Sequence, residues 1–103
     1  MKNIEENYVL ANLAKLDLFQ IHDYIYFNLQ NPIAARNTAN GIKSKVLNLK
    51  DFPYIGKIYN HKNSNIRFLA FKNYLIFYEI QENEKLVIIK RIIYKKRNLG
   101  KFL

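Results

Sequence analysis

The side chains of this 103-residue chain that could take part in chemistry are concentrated near its C-terminal end. No acidic residue follows Glu84, whereas seven basic residues do: Lys85, Lys90, Arg91, Lys95, Lys96, Arg97 and Lys101. Over the whole chain, 17 Lys and Arg residues stand against eight Asp and Glu residues, which gives a net charge of +9. Such an excess attracts polyanions or an acidic protein partner over long distances. Solubility alone is the other interpretation, but the charge lies on and just beyond a predicted strand.

Other kinds of site find little support in the sequence. Cysteine is absent, which excludes a disulfide framework, a thiolate metal site and a cysteine nucleophile. The two histidines, His22 and His61, do not have the spacing of metal ligands. No glycine-rich phosphate loop and no Ser/His/Asp arrangement is visible, and the acidic residues are scattered. We therefore expect neither a metal nor another cofactor.

The composition predicts one domain over residues 1–103. Half of the residues are hydrophobic, and only three glycines and two prolines are present, so a packed core is expected and a flexible linker is not. Glu5 and Glu6 precede the first apolar run, which is not typical of a signal peptide. No apolar stretch has the ~18–20 residues that a membrane span needs. Together with the absence of cysteine, this predicts a cytoplasmic protein without a membrane partner.

The apolar pattern predicts a short strand followed by a first helix. Residues 4–11 form the strand, and Asn12 is the expected N-cap of the helix. The helix spans residues 13–29, and Asp17 and Asp23 are expected off its apolar face. Spacings of three and four residues place four apolar side chains on one stripe: Leu18, Ile21, Ile25 and Leu29.

A second helix is predicted from the next turn of the chain. Asn31 is a good cap, and Pro32 suits the first helical position because its missing N–H is not needed there. The helix should end near Asp51, before a proline. Its apolar stripe is regular: Ala35, Ala39, Ile42, Val46 and Leu49. The short connection predicts that the two helices form an antiparallel hairpin.

Strand patterns fill the second half of the chain, after a predicted loop over residues 53–64. Residues 66–71, 74–80 and 86–94 are rich in Ile, Val, Phe and Tyr and are separated by polar turns, which predicts an antiparallel meander. The middle run is apolar on both faces and should be central. Two helices cover one face of such a sheet. The other face is either a docking surface or is covered by the loop and by C-terminal residues: Leu99, Phe102 and Leu103.

Five short segments carry a recognisable order of motifs. They read D-L-x-x-I-x-x-Y-I over residues 17–25, N-P-x-A-A over 31–35, F-P-x-x-G over 52–56, I-R-x-L followed by Y-L-I-F-Y over 66–78, and R-I-x-Y-x-x-R over 91–97. In this order they resemble the RelE/ParE superfamily, the toxins of bacterial type II toxin–antitoxin systems. The resemblance covers roughly residues 8–100 and implies the α+β fold just predicted.

The sequences of the last two motifs are more similar to ParE than to RelE. The resemblance then implies a toxin that inhibits growth by binding and poisoning DNA gyrase, without nuclease activity. It also implies neutralisation by an acidic antitoxin that is partly disordered until it wraps the toxin. A chain with a net charge of +9 and a spare apolar face suits a partner that brings carboxylates and apolar anchors.

The RelE branch is the alternative, and it would make the chain an enzyme. Its members are metal-independent, ribosome-dependent endoribonucleases, in which basic groups stabilise the phosphate that a 2′-hydroxyl attacks. Arg67 matches one family position, and Lys96 or Arg97 matches another. Three further family positions are replaced: Leu69, Leu75 and Phe102. The RelE set is therefore about half present.

Another endonuclease branch of the superfamily places a His or Tyr where Tyr94 stands. A phenol has a pKa near ~10, so neighbouring cations would have to lower it. Simple packing at the end of a strand is the alternative role for Tyr94.

We define the predicted basic rim as Arg67, Arg91, Tyr94, Lys95, Lys96 and Arg97. In a nuclease, Arg67 with Lys96 or Arg97 would hold phosphate, and Tyr94 would move a proton, on ribosome-bound mRNA. In a gyrase inhibitor the same rim would dock the target. A degenerate copy that acts only as a binding module is a third possibility.

Overall fold

A computed structural model of the chain describes residues 8–60 and 63–96. In chain order the elements are strand β1 (Tyr8–Leu10), helix α1 (Asn12–Asp23), a π-helical turn (Tyr24–Asn28), helix α2 (Pro32–Asp51), strands β2 (Lys57–Asn60), β3 (Asn63–Phe71) and β4 (Tyr74–Gln81), a 3₁₀ turn (Glu82–Glu84) and strand β5 (Leu86–Tyr94).

The strands form one sheet in the order β1-β5-β4-β3-β2. β2, β3, β4 and β5 pair antiparallel in sequence, so the predicted meander is confirmed. β1 pairs parallel with β5, which brings the first strand beside the last one. β4 lies in the middle of the sheet as predicted, and the chain has the predicted α+β fold. The strong centre of the first predicted strand, residues 8–10, is β1; residues 1–7 lie outside the described residues.

The helix hairpin follows the predicted second-helix pattern closely. The side chain of Asn31 caps α2, since its Oδ1 accepts a hydrogen bond of 3.0 Å from the backbone N–H of Ala34. Pro32 occupies the first turn of the helix, where no N–H is needed. The five predicted core residues of α2 are all buried: Ala35, Ala39, Ile42, Val46 and Leu49. On the sheet they face alternate residues of β4, namely Ile76, Tyr78 and Ile80.

Three expectations for the first helix were wrong. Ala11 is the N-cap and Asn12 already belongs to α1, because the N–H of Ala11 still bonds to the Ile89 carbonyl of β5 at 2.9 Å. Leu29 is 56% exposed. The π-helical turn before it closes its hydrogen bonds over five residues instead of four, which rotates the following residues away from the apolar face. Asp17, expected off the apolar face, is buried.

The predicted loop over residues 53–64 contains an additional strand. Residues 57–60 form β2, an edge strand that pairs Lys57 with Phe68 and Ile58 with Arg67. Its sequence is short and partly polar, so pairing to β3 and not its own hydrophobicity makes it a strand.

β2 also explains part of the cover on the sheet face away from the helices. Tyr59 packs edge-on against Phe77 of β4, with ring centroids 5.2 Å apart, and Phe68 lies 5.8 Å from the same ring. Phe77 is completely buried. The predicted contribution of Leu99, Phe102 and Leu103 to this face lies outside the described residues.

The F-P-x-x-G segment is held down by a buried phenol. The Tyr78 hydroxyl donates to the Pro53 carbonyl at 2.8 Å and accepts from the Gly56 N–H at 2.9 Å. Gly56 is required here because a Cβ would overlap the Tyr78 hydroxyl and the Phe68 carbonyl oxygen. The motif is therefore a structural clamp between α2 and β2.

We expect Tyr78→Phe to lower the free energy of unfolding by about 1–3 kcal/mol, because it leaves a buried N–H and a buried carbonyl without partners. Urea denaturation measures this. Tyr74→Phe is the matched control, since no described residue bonds to the Tyr74 hydroxyl; it should change stability by less than about 0.5 kcal/mol. Equal effects of the two substitutions would contradict the clamp.

Candidate functional site

A register shift at the end of β5 shapes the candidate site. Phe77 of β4 pairs with Arg91, but the next residue, Tyr78, pairs with Ile89, so β5 contains an extra residue at this point. On the other side of β5, the pairing with β1 stops at Leu10. Beyond Ile89, the outer edge of β5 therefore has no partner strand among the described residues.

Asp17 of α1 occupies the place where β1 ends. Its carboxylate accepts hydrogen bonds from the backbone N–H of Ile92 at 2.9 Å and from Nε and Nη2 of Arg91 at 2.8 and 2.9 Å. The side chains of Asp17 and Arg91 are only 10% and 14% exposed. The hydrogen bond to Asp17 raises the pKa of Arg91 further above its usual value. Two family-like motifs, D-L at residue 17 and R-I-x-Y at residue 91, are thus joined in one buried interaction.

A groove of about 550 Å³ opens next to this pair. One wall comes from α1 and the π-helical turn, and the other from the ends of β4 and β5. Its lining residues are Asp17, Gln20, Ile21, Tyr24, Ile25, Leu29, Asn73, Tyr74, Ile92 and Tyr94. The rings of Tyr74 and Tyr94 lie 5.8 Å apart at its mouth. Burial, and to a smaller degree the neighbouring phenols, raise the pKa of Tyr74.

The lysines at the end of β5 are on the surface. Lys95 and Lys96 are exposed in the turn that follows the strand, and the Lys95 N–H bonds to the Asn73 carbonyl at 2.8 Å. This bond places the turn beside the β3–β4 turn, where Lys72 is also exposed. We call these three lysines, Lys72, Lys95 and Lys96, the basic end of the sheet.

The predicted basic rim is divided in the structure. Arg67 of β3 pairs with Tyr78 of β4. Tyr94 of β5 pairs with Tyr74, which lies four residues before Tyr78 on β4. This separation is about 13 Å along the strand. Arg91 is buried with Asp17, and Arg97 lies outside the described residues. Only Tyr94, which is 40% exposed, and the two following lysines share one surface.

Arg67 helps to hold the F-P-x-x-G segment in place. Its Nη1 donates to the Gly56 carbonyl at 2.8 Å, and its guanidinium carbon lies 5.1 Å from the centre of the Tyr54 ring. The Tyr54 hydroxyl in turn donates to a Glu82 carboxylate oxygen at 2.5 Å, which raises the pKa of Tyr54. The Arg67 guanidinium therefore already donates a hydrogen bond to a backbone carbonyl, and the Tyr54 ring covers it.

The remaining titratable residues suggest no metal centre. His22 contacts the adjacent Asp23 at 3.3 Å and stacks on Tyr26, and His61 lies outside the described residues. Within residues 8–60 and 63–96, no group of three or more His, Cys, Asp or Glu side chains could hold a metal ion. In the same part of the chain, no helix is long and apolar enough to cross a membrane.

Sequence reasoning missed Asp17, Lys72 and the groove. A signal for Asp17 was present, because an acid at the start of the D-L motif is unusual beside an apolar stripe in so basic a chain. Lys72 could not be assigned to the basic end until the pairing of the two turns was known.

One family model matches most of the chain. The sequence profile described as ParE toxin of type II toxin-antitoxin system, parDE, matches residues 8–99. A solved structure described as the chromosomal ParDE TA system from P. aeruginosa is similar with a TM-score of 0.71 and 20% identity, covering 89% of this chain and 98% of that chain. At this identity the likeness concerns the fold. Among curated protein sequences, none matches the chain.

We expect Asp17→Asn to lower the free energy of unfolding by about 2–4 kcal/mol, because it leaves the poorly solvated Arg91 guanidinium without a counter-charge. Denaturation with urea is the measurement. Asp23→Asn is the matched control: Asp23 is half-exposed and contacts only its neighbour His22 among described side chains. That control should shift stability by less than about 0.5 kcal/mol. A loss of similar size in both variants would mean that the buried pair has no special role.

Proposed function

Because the chain belongs to the ParE toxin family of type II toxin–antitoxin systems, we propose that it arrests growth by binding and poisoning DNA gyrase in the cytoplasm. An acidic antitoxin neutralises it. The observation that carries this proposal is the state of the two described arginines of the predicted rim, Arg67 and Arg91. Both are held by the protein itself, whereas the exposed cations described at the end of β5 are lysines suited to docking.

The arginine contacts argue against an RNA-cleaving site. Cleavage without a metal needs cations that point at the phosphate, together with groups placed to move protons. Arg67 instead bonds to the Gly56 carbonyl, and Arg91 is neutralised by Asp17. Tyr94 has another phenol, Tyr74, as its ring neighbour. The binding mode of inhibition therefore fits this chain better than catalysis.

The charge distribution supports an oriented encounter with a negatively charged partner. The basic end of the sheet carries three exposed lysines, while acidic side chains cluster at the opposite end, around the turn between β4 and β5: Glu79, Glu82 and Glu84. A charge separation of this kind steers association and fixes its direction. In this proposal the lysines at the basic end contact gyrase.

The same reasoning supports an acidic antitoxin. A toxin with a net charge of +9 gains affinity from a partner of opposite charge, and the gain falls as salt screens it. Several large apolar side chains of the helix hairpin are exposed as well, among them Leu13, Phe19 and Phe27. A partner with both carboxylates and apolar anchors would cover this surface.

The double variant Lys95→Glu with Lys96→Glu tests the basic end. We expect at least about tenfold more protein to be needed for half-inhibition of gyrase, because like charges now oppose docking. The measurement is supercoiling of relaxed plasmid, together with the amount of DNA trapped in the cleaved state.

The matched control is the double variant Lys15→Glu with Lys45→Glu. Both lysines are exposed on the helices, so net charge falls by the same four units as in the test variant. Inhibition by the control should stay within about threefold of the unmodified chain. The control weakens only the long-range attraction and leaves the lysines of the basic end in place. Equal losses in both variants would show that net charge alone matters.

Tyr94→Phe separates gyrase binding from RNA cleavage. We expect this variant to remain toxic on induced expression, because it removes a hydroxyl but leaves the ring packed on Tyr74. Mapping of mRNA ends in the same cultures should show no cleavage for either protein. Loss of toxicity with a folded variant, accompanied by loss of mRNA cuts made by the unmodified chain, would establish the nuclease alternative.

A further inference from the structure

The basic end of the sheet consists of two turns that lie side by side. The Lys95 N–H bonds to the Asn73 carbonyl at 2.8 Å, so the turn after β5 is fixed next to the turn between β3 and β4. Adjacent strands of a sheet are only ~4.8 Å apart. Lys72, Lys95 and Lys96 are all exposed on these turns. One extended ligand can therefore contact three ammonium groups at this end.

The charges around these turns determine which end of the protein a polyanion approaches. Asp17 is the carboxylate that lines the neighbouring groove, and Arg91 already neutralises it. The acidic side chains of β4 and of the turn that follows it lie at the opposite end of the sheet: Glu79, Glu82 and Glu84. A polyanion is therefore attracted to the basic end and repelled by the other one.

The residue types at this end favour phosphate over a protein surface as the ligand. Lysine is depleted in protein–protein interfaces, whereas arginine and aromatic residues are enriched there. Arg91, the described arginine nearest this end in sequence, is bound to Asp17, and the Tyr94 ring packs beside Tyr74 with centroids 5.8 Å apart. The exposed cations are lysines, whose ammonium groups bind phosphate as point charges and need no planar partner.

The aromatic side chains favour duplex over single-stranded nucleic acid. Proteins that bind single strands stack the bases on exposed aromatic rings. At the basic end, Phe71 and Tyr74 are half-buried, and the Tyr94 ring contacts Tyr74. A duplex instead presents its phosphates outward, with one negative charge per ~1.7 Å of helix axis. Neighbouring lysines contact such a backbone without reading the bases.

We propose that the basic end binds the phosphate backbone of duplex DNA, independently of base sequence, and that it meets gyrase where the enzyme holds its DNA. Lys72, Lys95 and Lys96 are the phosphate contacts. The location on gyrase rests on the proposed function, whereas DNA binding can be measured without the enzyme. Simultaneous contact with enzyme and DNA gives the toxin a higher affinity for their complex than for either partner alone.

Two turn lysines at opposite ends of the sheet provide a matched pair of variants. Lys72 lies between β3 and β4, and Lys85 lies between β4 and β5. Both are exposed, and both have left-handed backbone conformations, with φ angles of 53° and 52°. Glycine adopts this conformation without strain. Lys72→Gly and Lys85→Gly therefore each remove one positive charge from a turn that keeps its backbone.

Fluorescence anisotropy with a short labelled DNA duplex, in the absence of gyrase, tests the phosphate contacts. Affinity is measured at several salt concentrations from about 50 to 200 mM, and its logarithm is plotted against that of the salt concentration. We expect the slope of the plot to become shallower by about one for Lys72→Gly, and by about two for Lys95→Gln with Lys96→Gln. Lys85→Gly should change the slope by less than about 0.3.

Three results of this titration would overturn the proposal. The first is no binding of the unmodified chain to the duplex at low salt, and the second is equal slopes for Lys72→Gly and Lys85→Gly. The third is tighter binding of a single strand of the same length, because the ligand would then be single-stranded nucleic acid.

Binding to gyrase with and without its DNA tests the location. We expect Lys72→Gly to weaken binding to the gyrase–DNA complex at least about threefold more than binding to DNA-free gyrase, and Lys85→Gly to weaken neither. Equal losses for Lys72→Gly in both cases would overturn this part, because the lysines would then contact the protein. Failure of the proposed function is a separate result: the unmodified chain would not inhibit supercoiling, whatever the duplex titration shows.

Discussion

The hydrogen bonds of the Asp17 carboxylate are the constraint on which the functional end of this protein depends. One side chain on α1 accepts bonds from the Ile92 N–H and from two nitrogens of Arg91, in surroundings with little water. It thereby fixes α1 against the sheet and replaces the strand partner that β5 loses when β1 ends. A buried pair of this kind is sensitive to the loss of either member, so the course of β5 up to Tyr94 depends on Asp17, which lies 74 positions before Arg91 in the chain.

These contacts distinguish the arginines, which have structural roles, from the exposed lysines of the basic end. Arginine binds planar carboxylates through two parallel bonds, which explains why a guanidinium and not an ammonium faces Asp17. Arg67 likewise serves the clamp around Gly56. The lysines at the basic end have no such partners among the described residues, and their flexible, hydrated charges suit long-range attraction. Arg67, the described arginine that a nuclease of the resembled superfamily would direct at phosphate, is thus already bonded within the protein.

Periodicity predicted most of the fold, because it reports burial. The stripe of α2, the three long strands and the central position of β4 were all predicted in this way, whereas the Asn31 cap was predicted from residue preference. Periodicity failed where pairing or local geometry decides. β2 is a strand only because β3 is beside it, Leu29 turns outward because of the π-helical turn, and Asp17 is buried because of a charge partner remote in sequence. The site was predicted less well. Clustering of basic residues located the end of β5, but sequence cannot tell an exposed cation from one paired inside the protein.

The central proposal is that this chain, a member of the ParE toxin family, acts on gyrase and does not cut RNA. The most direct measurement is induced expression in a bacterial host, with mRNA ends and gyrase-linked DNA breaks mapped in the same culture. The account predicts growth arrest with intact mRNA, DNA breaks that carry covalently bound gyrase, and relief of both when the antitoxin is co-expressed. Growth arrest with cleaved mRNA and undamaged DNA would contradict it.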